Sequence, residues 1–428
     1  MSRRTLLRQA VILVGGSGTR LGELTVSTPK PLLPVGGKPF LDHLIDEIGR
    51  HGTFEDIVLL AGRFGQRLVE RYSGRSFRGA TISVVVESEP MGTAGALKNA
   101  ADVLDQRFLL MNGDSLFDIN LLDLAAAPLA PGIVGRIALL REHAGRRYGR
   151  VEIADDLVAA FQAPSEAASG PINAGIYVFD RSILDLVKTT PSSLESDVLP
   201  VLARQRSLEA RIYDRFFIDI GVPEDLRRAD NELPAALMRP AIFLDRDGVL
   251  NKDLGYVHRP EQIVWTDGVT EAVKACNDAG AFVFVISNQA GVARGYYDEA
   301  AVNALHRWMN RELAAAGAHV DAFEYCPHHE EASVAHYRRS CRRRKPEPGM
   351  ILDLLEAWTV ERANSILIGD KASDIAAGEA AGIRSFLFPG GNLHDFLIPL
   401  LAQPGARHLQ NRATPRSEPL AGEQARNG

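Results

Sequence analysis

Cysteine is scarce in this chain, with three residues in 428. So small and odd a number excludes a disulfide framework and points to a reducing compartment. Long apolar runs are missing too. The run Ala10–Val14 is too short for the core of a secretion signal and leads into glycines rather than a cleavage site. There is no basic excess, the formal net charge being −6, so nothing suggests a nucleic-acid footprint. No fixed-period repeat of the solenoid kind is found. The expectation is a cytoplasmic protein with neither a membrane nor a nucleic-acid partner; a homo-oligomer is left open. What is present, 46% hydrophobic and 24% charged residues, is the composition of a soluble globular protein. The length calls for two or three domains.

Short β-branched apolar runs alternate with helical patterns throughout, the signature of α/β units around mostly parallel sheets. Strands are expected at Ala10–Val14, Asp56–Ala61, Thr81–Glu87, Arg107–Met111, Ile133–Leu140 and Asn173–Phe179. A second series follows at Ala241–Leu244, Ala281–Ile286, Ala322–Tyr325 and Ser365–Ile368. Pro234 and Pro240 bracket a short Ala-rich link, so the chain reads as two tandem Rossmann-like three-layer domains. The first spans residues 9–233 and the second 239–401; residues 402–428 are polar, without apolar periodicity, and read as a disordered tail.

In the first half the strand Ala10–Val14 runs into Gly15-Gly16-Ser17-Gly18-Thr19-Arg20-Leu21. Glycines there let backbone N–H groups approach a phosphate, and an adjacent arginine can offset its charge. No Gly-Lys-Ser/Thr follows, so this is not a Walker loop. Pro29-Lys30-Pro31 returns a second cation on a rigid turn. Asp114, just past one strand, and Asp219, interrupting another apolar run, can hold Mg²⁺ as hard oxygen ligands. Either alone reads equally well as a cap or a turn residue.

In the second half Asp245 and Asp247 follow a buried strand and project from one side of an extended chain. One carboxylate can attack phosphorus while its neighbour moves the proton. Ser287-Asn288-Gln289 offers a hydroxyl and amides to phosphate oxygens, and Arg344-Lys345 offers cations. Asp370 arrives at another strand end, with Asp374 four residues on. Each segment has a bland reading as a cap or a solvated loop; four together in this order do not.

The first half resembles the sugar-1-phosphate nucleotidyltransferases, in particular the branch that guanylylates heptose 1-phosphate. The Gly15–Leu21 run carries the resemblance with Pro29-Lys30, Glu89-Pro90-Met91-Gly92-Thr93-Ala94-Gly95, Asn173-Ala174-Gly175 and Phe217 to Asp225. It implies that Gly15, Gly16, Gly18 and Arg20 hold the triphosphate, that Gly92 binds substrate and that Lys30 stabilises the departing pyrophosphate. Asp114 and Asp219 would bind Mg²⁺, while Asn173 and Gly175 would meet the sugar. Many relatives place a lysine before the Asn-x-Gly segment; here that stretch reads Phe161-Gln162-Ala163-Pro164, so Arg146, Arg147 or Arg150 is expected to substitute.

The second half resembles the haloacid-dehalogenase-like phosphatases, most closely those that remove the 7-phosphate of D-glycero-D-manno-heptose 1,7-bisphosphate. Gly255-Tyr256-Val257-His258, Ser287 to Gly295 and Lys345 to Met350 carry that likeness. It implies Asp245 as nucleophile and Asp247 as general acid and base. Ser287, Asn288 and Lys345 would bind the transferring phosphoryl, and Arg294 and Arg344 the other phosphate. Mg²⁺ would sit on Asp245, the Asp247 carbonyl and Asp370. Such relatives often carry a four-ligand zinc loop; Cys326, His328 and Cys341 match it, but Arg343 occupies the fourth position and cannot ligate. Zinc is therefore a doubtful cofactor.

Together the two resemblances imply a bifunctional enzyme taking sugar phosphates and an NTP, with guanine as the expected base, toward activated heptose. Two alternatives stand beside it: a phosphatase with a degenerate nucleotide-sugar-binding module, or a pair acting on mannose 1-phosphate and histidinol phosphate.

Overall fold

The computed structural model describes residues 6–16, 18–141, 148–164 and 170–401. The expected tail and Arg146 and Arg147 lie outside the described residues. The first sheet is built from Gln9–Leu13 (β1), Asp56–Ala61 (β2), Ser76–Phe77 (β3), Ala80–Val86 (β4) and Arg107–Asn112 (β5). Gly135–Leu140 (β6), Val151–Ala154 (β7), Leu157–Phe161 (β8), Ile172–Asp180 (β9) and Leu208–Tyr213 (β10) complete it. Its ten strands run in the order β7-β8-β10-β6-β9-β5-β1-β2-β4-β3. β1 is parallel to β2 and β5. The sheet is mixed rather than parallel at its flank, because β9 runs antiparallel to both β5 and β6.

Strand alternation explains the three layers. Ala10 and Ile12 of β1 point into one core, and Val11 between them points into the other. A strand buried on both faces reads as a continuous apolar run, which is why β1, β2 and β5 are legible in sequence. The short β7, β8 and β10 are half-exposed and escape that signal.

The second sheet comprises Ala241–Leu244 (β11), Phe282–Asn288 (β12), Ala322–Cys326 (β13), Ile366–Gly369 (β14) and Arg384–Leu387 (β15). Its order is β13-β12-β11-β14-β15, and every pairing is parallel. Ile242 and Leu244 face one core and Ala241 and Phe243 the other. In open sheets of this kind ligands bind beyond the carboxyl ends of the strands. Those ends carry Gly15 after β1, Asp114 after β5, Asp245 after β11 and Asp370 after β14.

The connection between the sheets is shorter than the prolines suggested. Helix Pro223–Ala236 continues through Pro234, leaving Leu237 to Pro240 as the link. Pro234 lies in the last turn, where it forgoes the bond to the Asp230 carbonyl, and its ring packs against the Gly36 turn. Across the link the halves meet through buried charge. Arg239, 1% exposed, donates to Glu47 at 2.9 Å and Asp118 at 2.7 Å. Arg50 bonds Glu47 at 2.8 Å and reaches Asp321 of the second half at 3.1 Å. The His51 and His319 rings lie 4.3 Å apart, and Asn120 donates to Asp278 and to the Gly317 carbonyl, both at 2.8 Å.

Candidate active sites

A cavity of about 430 Å³ opens at the carboxyl ends of β1 and β5. Gly15, Gly16, Lys30, Gly92 and Asp114 line it, as the sequence led one to expect. At one end Lys30 Nζ, almost fully buried, lies 2.5 Å from Asp114. Asp219 joins this end although it is not part of the cavity lining. Its strand Phe217–Asp219 pairs antiparallel with Ser115–Phe117, placing Asp219 opposite Ser115. Burial raises the Asp219 carboxyl above its usual range, the Asp114 charge adding to the shift and Lys30 opposing it. Two carboxylates and one cation converge, a set suited to a metal-bound polyphosphate.

The other end holds residues that motif reading missed. The Gly15 Cα stands so close to Gly62 that an added Cβ would lie 3.0 Å from the Gly62 nitrogen, which brings the Glu87 carboxylate within reach of both. Glu87 accepts from the Met91 N–H at 3.2 Å, and burial raises its pKa. Arg63 also lines the cavity, its guanidinium 4.7 Å from the Phe64 ring centre. Arg20, by contrast, is exposed and outside the lining. Thr25 Oγ1 bonds the Gly18 carbonyl at 2.9 Å and folds the Thr19–Thr25 turn back on itself, away from the cavity. Gly18 sits in that same turn, outside the lining. Asn173 and Gly175 stand behind the cavity wall: Asn173 bonds Tyr177 and the Gly175 N–H, and Gly175 packs on the lining residue Asn112.

In the second half Asp245 ends β11, 6% exposed, with its N–H bound to the Ile368 carbonyl of β14 at 3.0 Å. Lys345 Nζ lies 2.7 Å from Asp245 and also 2.7 Å from Asp374, and donates to the Ile286 carbonyl at 2.9 Å. Burial lowers the Lys345 pKa, but the two carboxylates outweigh it and keep the group a cation. Burial pushes the Asp245 carboxyl upward, with Lys345 opposing. Asp247 is aimed by three donors: Arg246 at 2.7 Å, Asn251 at 2.9 Å and Gln289 at 3.2 Å. Ser287 accepts from Gln289 at 2.6 Å. The Asn288 amide binds the Lys345 backbone, donating to its carbonyl at 2.9 Å and accepting from its N–H at 3.0 Å. Asn288 thus positions Lys345 beside the site. Gly248 has φ +99°, and a Cβ there would fall 2.1 Å from an Asp370 oxygen. Arg294 and Arg344 are near enough for the charge of one to lower the pKa of the other, although burial is the larger cause for Arg344.

Cys326, His328 and Cys341 do come together, their ligand atoms all within 4.8 Å. Arg343 turns away from them to Glu324 and Asp353.

Fold and sites define a two-centre enzyme of phosphorus chemistry, with a glycine-loop nucleotide cavity in one half and a buried aspartate–lysine centre in the other. The chain belongs to the nucleotidyl transferase family, which it matches over residues 9–235, and in its second half to the phosphatases of the haloacid-dehalogenase-like group, matched over residues 342–398. Over 169 residues it is 48% identical to D-glycero-beta-D-manno-heptose-1,7-bisphosphate 7-phosphatase of Rhodopseudomonas palustris, covering 40% of this chain and 94% of that one. Over 227 residues it is 33% identical to D-glycero-alpha-D-manno-heptose 1-phosphate guanylyltransferase of Aneurinibacillus thermoaerophilus, covering 53% and 98%. Among solved structures, HddC from Yersinia pseudotuberculosis complexed with GMP-PN matches with 28% identity and a TM-score of 0.47, over 53% of this chain and all of that one. The protein is therefore a phosphatase and a nucleotidyltransferase in one chain.

Proposed function

We propose that the chain removes the C7 phosphate of D-glycero-D-manno-heptose 1,7-bisphosphate and couples the resulting heptose 1-phosphate to GTP, releasing pyrophosphate. One observation carries this reading: each half matches a relative named for a D-glycero-D-manno-heptose phosphate, the guanylyltransferase for the α anomer and the phosphatases for the β or the α anomer. The product would be an activated heptose for cell-surface glycan, made in the cytoplasm.

In the phosphatase, Asp245 Oδ attacks phosphorus and the C7 oxygen leaves, taking a proton from Asp247. Water then attacks the aspartyl phosphate with Asp247 as base, and inorganic phosphate departs. Lys345 holds the Asp245 carboxylate in place and neutralises the phosphoryl charge, Ser287 meets a phosphoryl oxygen, and Arg294 and Arg344 receive the sugar's 1-phosphate. Asp245, the Asp247 carbonyl and Asp370 would hold a divalent cation; Asp370 Oδ1, buried without a hydrogen-bond partner, supports that. Mg²⁺ there would supply charge neutralisation on the phosphoryl group.

In the transferase, the sugar phosphate oxygen attacks the α-phosphorus in line, so the protein's part is positioning and charge neutralisation. Lys30 would neutralise the charge on the departing pyrophosphate, and Asp114 and Asp219 would hold Mg²⁺. Arg150, 2.5 Å from Gln162 beside Ala163, restores a cation near the sugar-phosphate end. Guanine is favoured by the opposite end of the cavity. Its N1–H and N2–H donors suit the Glu87 carboxylate, and its O6 and N7 acceptors suit a guanidinium such as Arg63.

The test supplies both anomers of heptose bisphosphate with Mg²⁺ and mixed NTPs. GDP-heptose and two phosphate products, inorganic phosphate and pyrophosphate, are expected, with the α anomer carried through both steps. Inorganic phosphate without pyrophosphate would reduce the first half to a binding module.

A further inference from the structure

Four protein ligands make a structural zinc site, and their outer hydrogen bonds normally run from the histidine N–H to a carboxylate or carbonyl. The Cys326–His328–Cys341 corner fails both requirements. His328 Nδ1 faces Cys326 Sγ at 3.7 Å, so Nδ1 is the atom a metal would take. On the other side of the ring, Arg339 Nη2 lies 2.7 Å from Nε2. A guanidinium has donors only, so Nε2 must accept and the ring proton sits on Nδ1, pointing toward the sulfur. Binding a metal at Nδ1 would drive that proton onto Nε2, against the arginine.

The fourth position is not simply missing. Glu324 and Cys326 lie two apart on β13 and share a face of the strand. Arg343 and Cys341 are also two apart, on the facing segment. Cys341 meets Cys326, and Arg343 makes an ion pair with Glu324 and a second with Asp353 at 3.4 Å. Asp353 in turn accepts from Arg342 at 2.6 Å. The pairs on the two segments correspond, sulfur against sulfur and arginine against carboxylate.

We propose that this loop is held by an arginine staple, Arg343 to Glu324 and Asp353 with Arg339 on His328, in place of a metal ion. The staple matters to catalysis because the segment it fixes leads directly into Arg344 and Lys345. Arg344 donates to the His328 carbonyl at 3.0 Å, and Lys345 follows in the site. The loop would keep Lys345 in register whatever the zinc supply, and both thiols would remain free.

Full-length protein purified without chelator is the material for the test. Zinc far below one per chain, no thiolate absorption on adding Co²⁺, and a melting temperature indifferent to chelator are expected. About one zinc per chain, or cobalt–thiolate bands, would overturn the proposal. R343C with R339A rebuilds the missing ligand and releases His328 Nε2, and should take up about one zinc per chain and become chelator-sensitive. E324Q/D353N should speed alkylation of Cys341 severalfold and lower the melting temperature; rates and melting equal to wild type would remove the staple. These readouts are independent of the heptose assignment.

Discussion

At the scale of single residues, the second half is the more completely specified. Asp245→Asn keeps the shape of the side chain but removes the nucleophile, so phosphate release should fall by about 10³-fold or more, with pyrophosphate release from the other half unchanged. Separate assays of the two products check it. Glu87→Gln replaces a charged acceptor by an amide at the proposed base-reading end. A lost charge-assisted bond costs about 1.5–3 kcal/mol, so kcat/KM for GTP should drop by about 10- to 100-fold and the preference over ATP should narrow. Asp245 was legible because an apolar strand delivers it, and burying a carboxylate needs a reason. Glu87 and Arg63 were not, because nothing in their local pattern separates them from ordinary surface charges. Arg20 shows the converse: a motif position is not a placement, and the Gly18–Thr25 turn directs that side chain to solvent. Asn288, read as a phosphate ligand, has a part the motif did not show: it clamps the Lys345 backbone.

At the scale of elements, the same logic separates what could be read from what could not. Strands buried on both faces announced themselves; β7, β8, β10 and β15 are short and partly exposed, and their identity comes from pairing partners far away in sequence. The helix through Pro234 looked like a linker because a proline inside a helix forfeits the N–H bond to the carbonyl four residues earlier; here the helix runs on only as far as Ala236. The loop joining β11 to the rest of its domain offers a sharp test. Gly248→Ala adds a Cβ 2.1 Å from Asp370 in a left-handed conformation, so the carboxylate must move. Phosphatase kcat should fall at least 10-fold and the Mg²⁺ concentration needed for half-activity should rise, while the transferase stays intact.

For the whole molecule, the interface between halves sets the pH response. His51 Nδ1 donates to the Glu47 carbonyl at 2.7 Å and Nε2 accepts from the Leu121 N–H at 3.2 Å, which is possible only for the neutral ring. Burial is the main cause lowering the pKa of both His51 and His319. With the folded value below the unfolded one near 6.5, the unfolded chain binds more protons in that window. Stability should therefore be full above about pH 6.5 and decline as the pH falls toward the folded values. Melting curves between those limits check the sign, and His51→Asn should flatten the slope. Arg239→Met removes the cation that Glu47 and Asp118 share and leaves them to Arg50 and Arg215, at a cost of about 3 kcal/mol, read as a drop in the denaturation midpoint.

Arg239 also decides what a cut in the backbone would do. Its side chain is anchored in the first half, and its main chain belongs to the second: its N–H bonds the Thr359 carbonyl at 3.2 Å, and its carbonyl accepts from Glu361 at 2.7 Å. A protease that severed Leu237 from Met238 would yield two fragments on a denaturing gel and a single particle on a sizing column. Covalent continuity at that point is dispensable; the guanidinium is the tether.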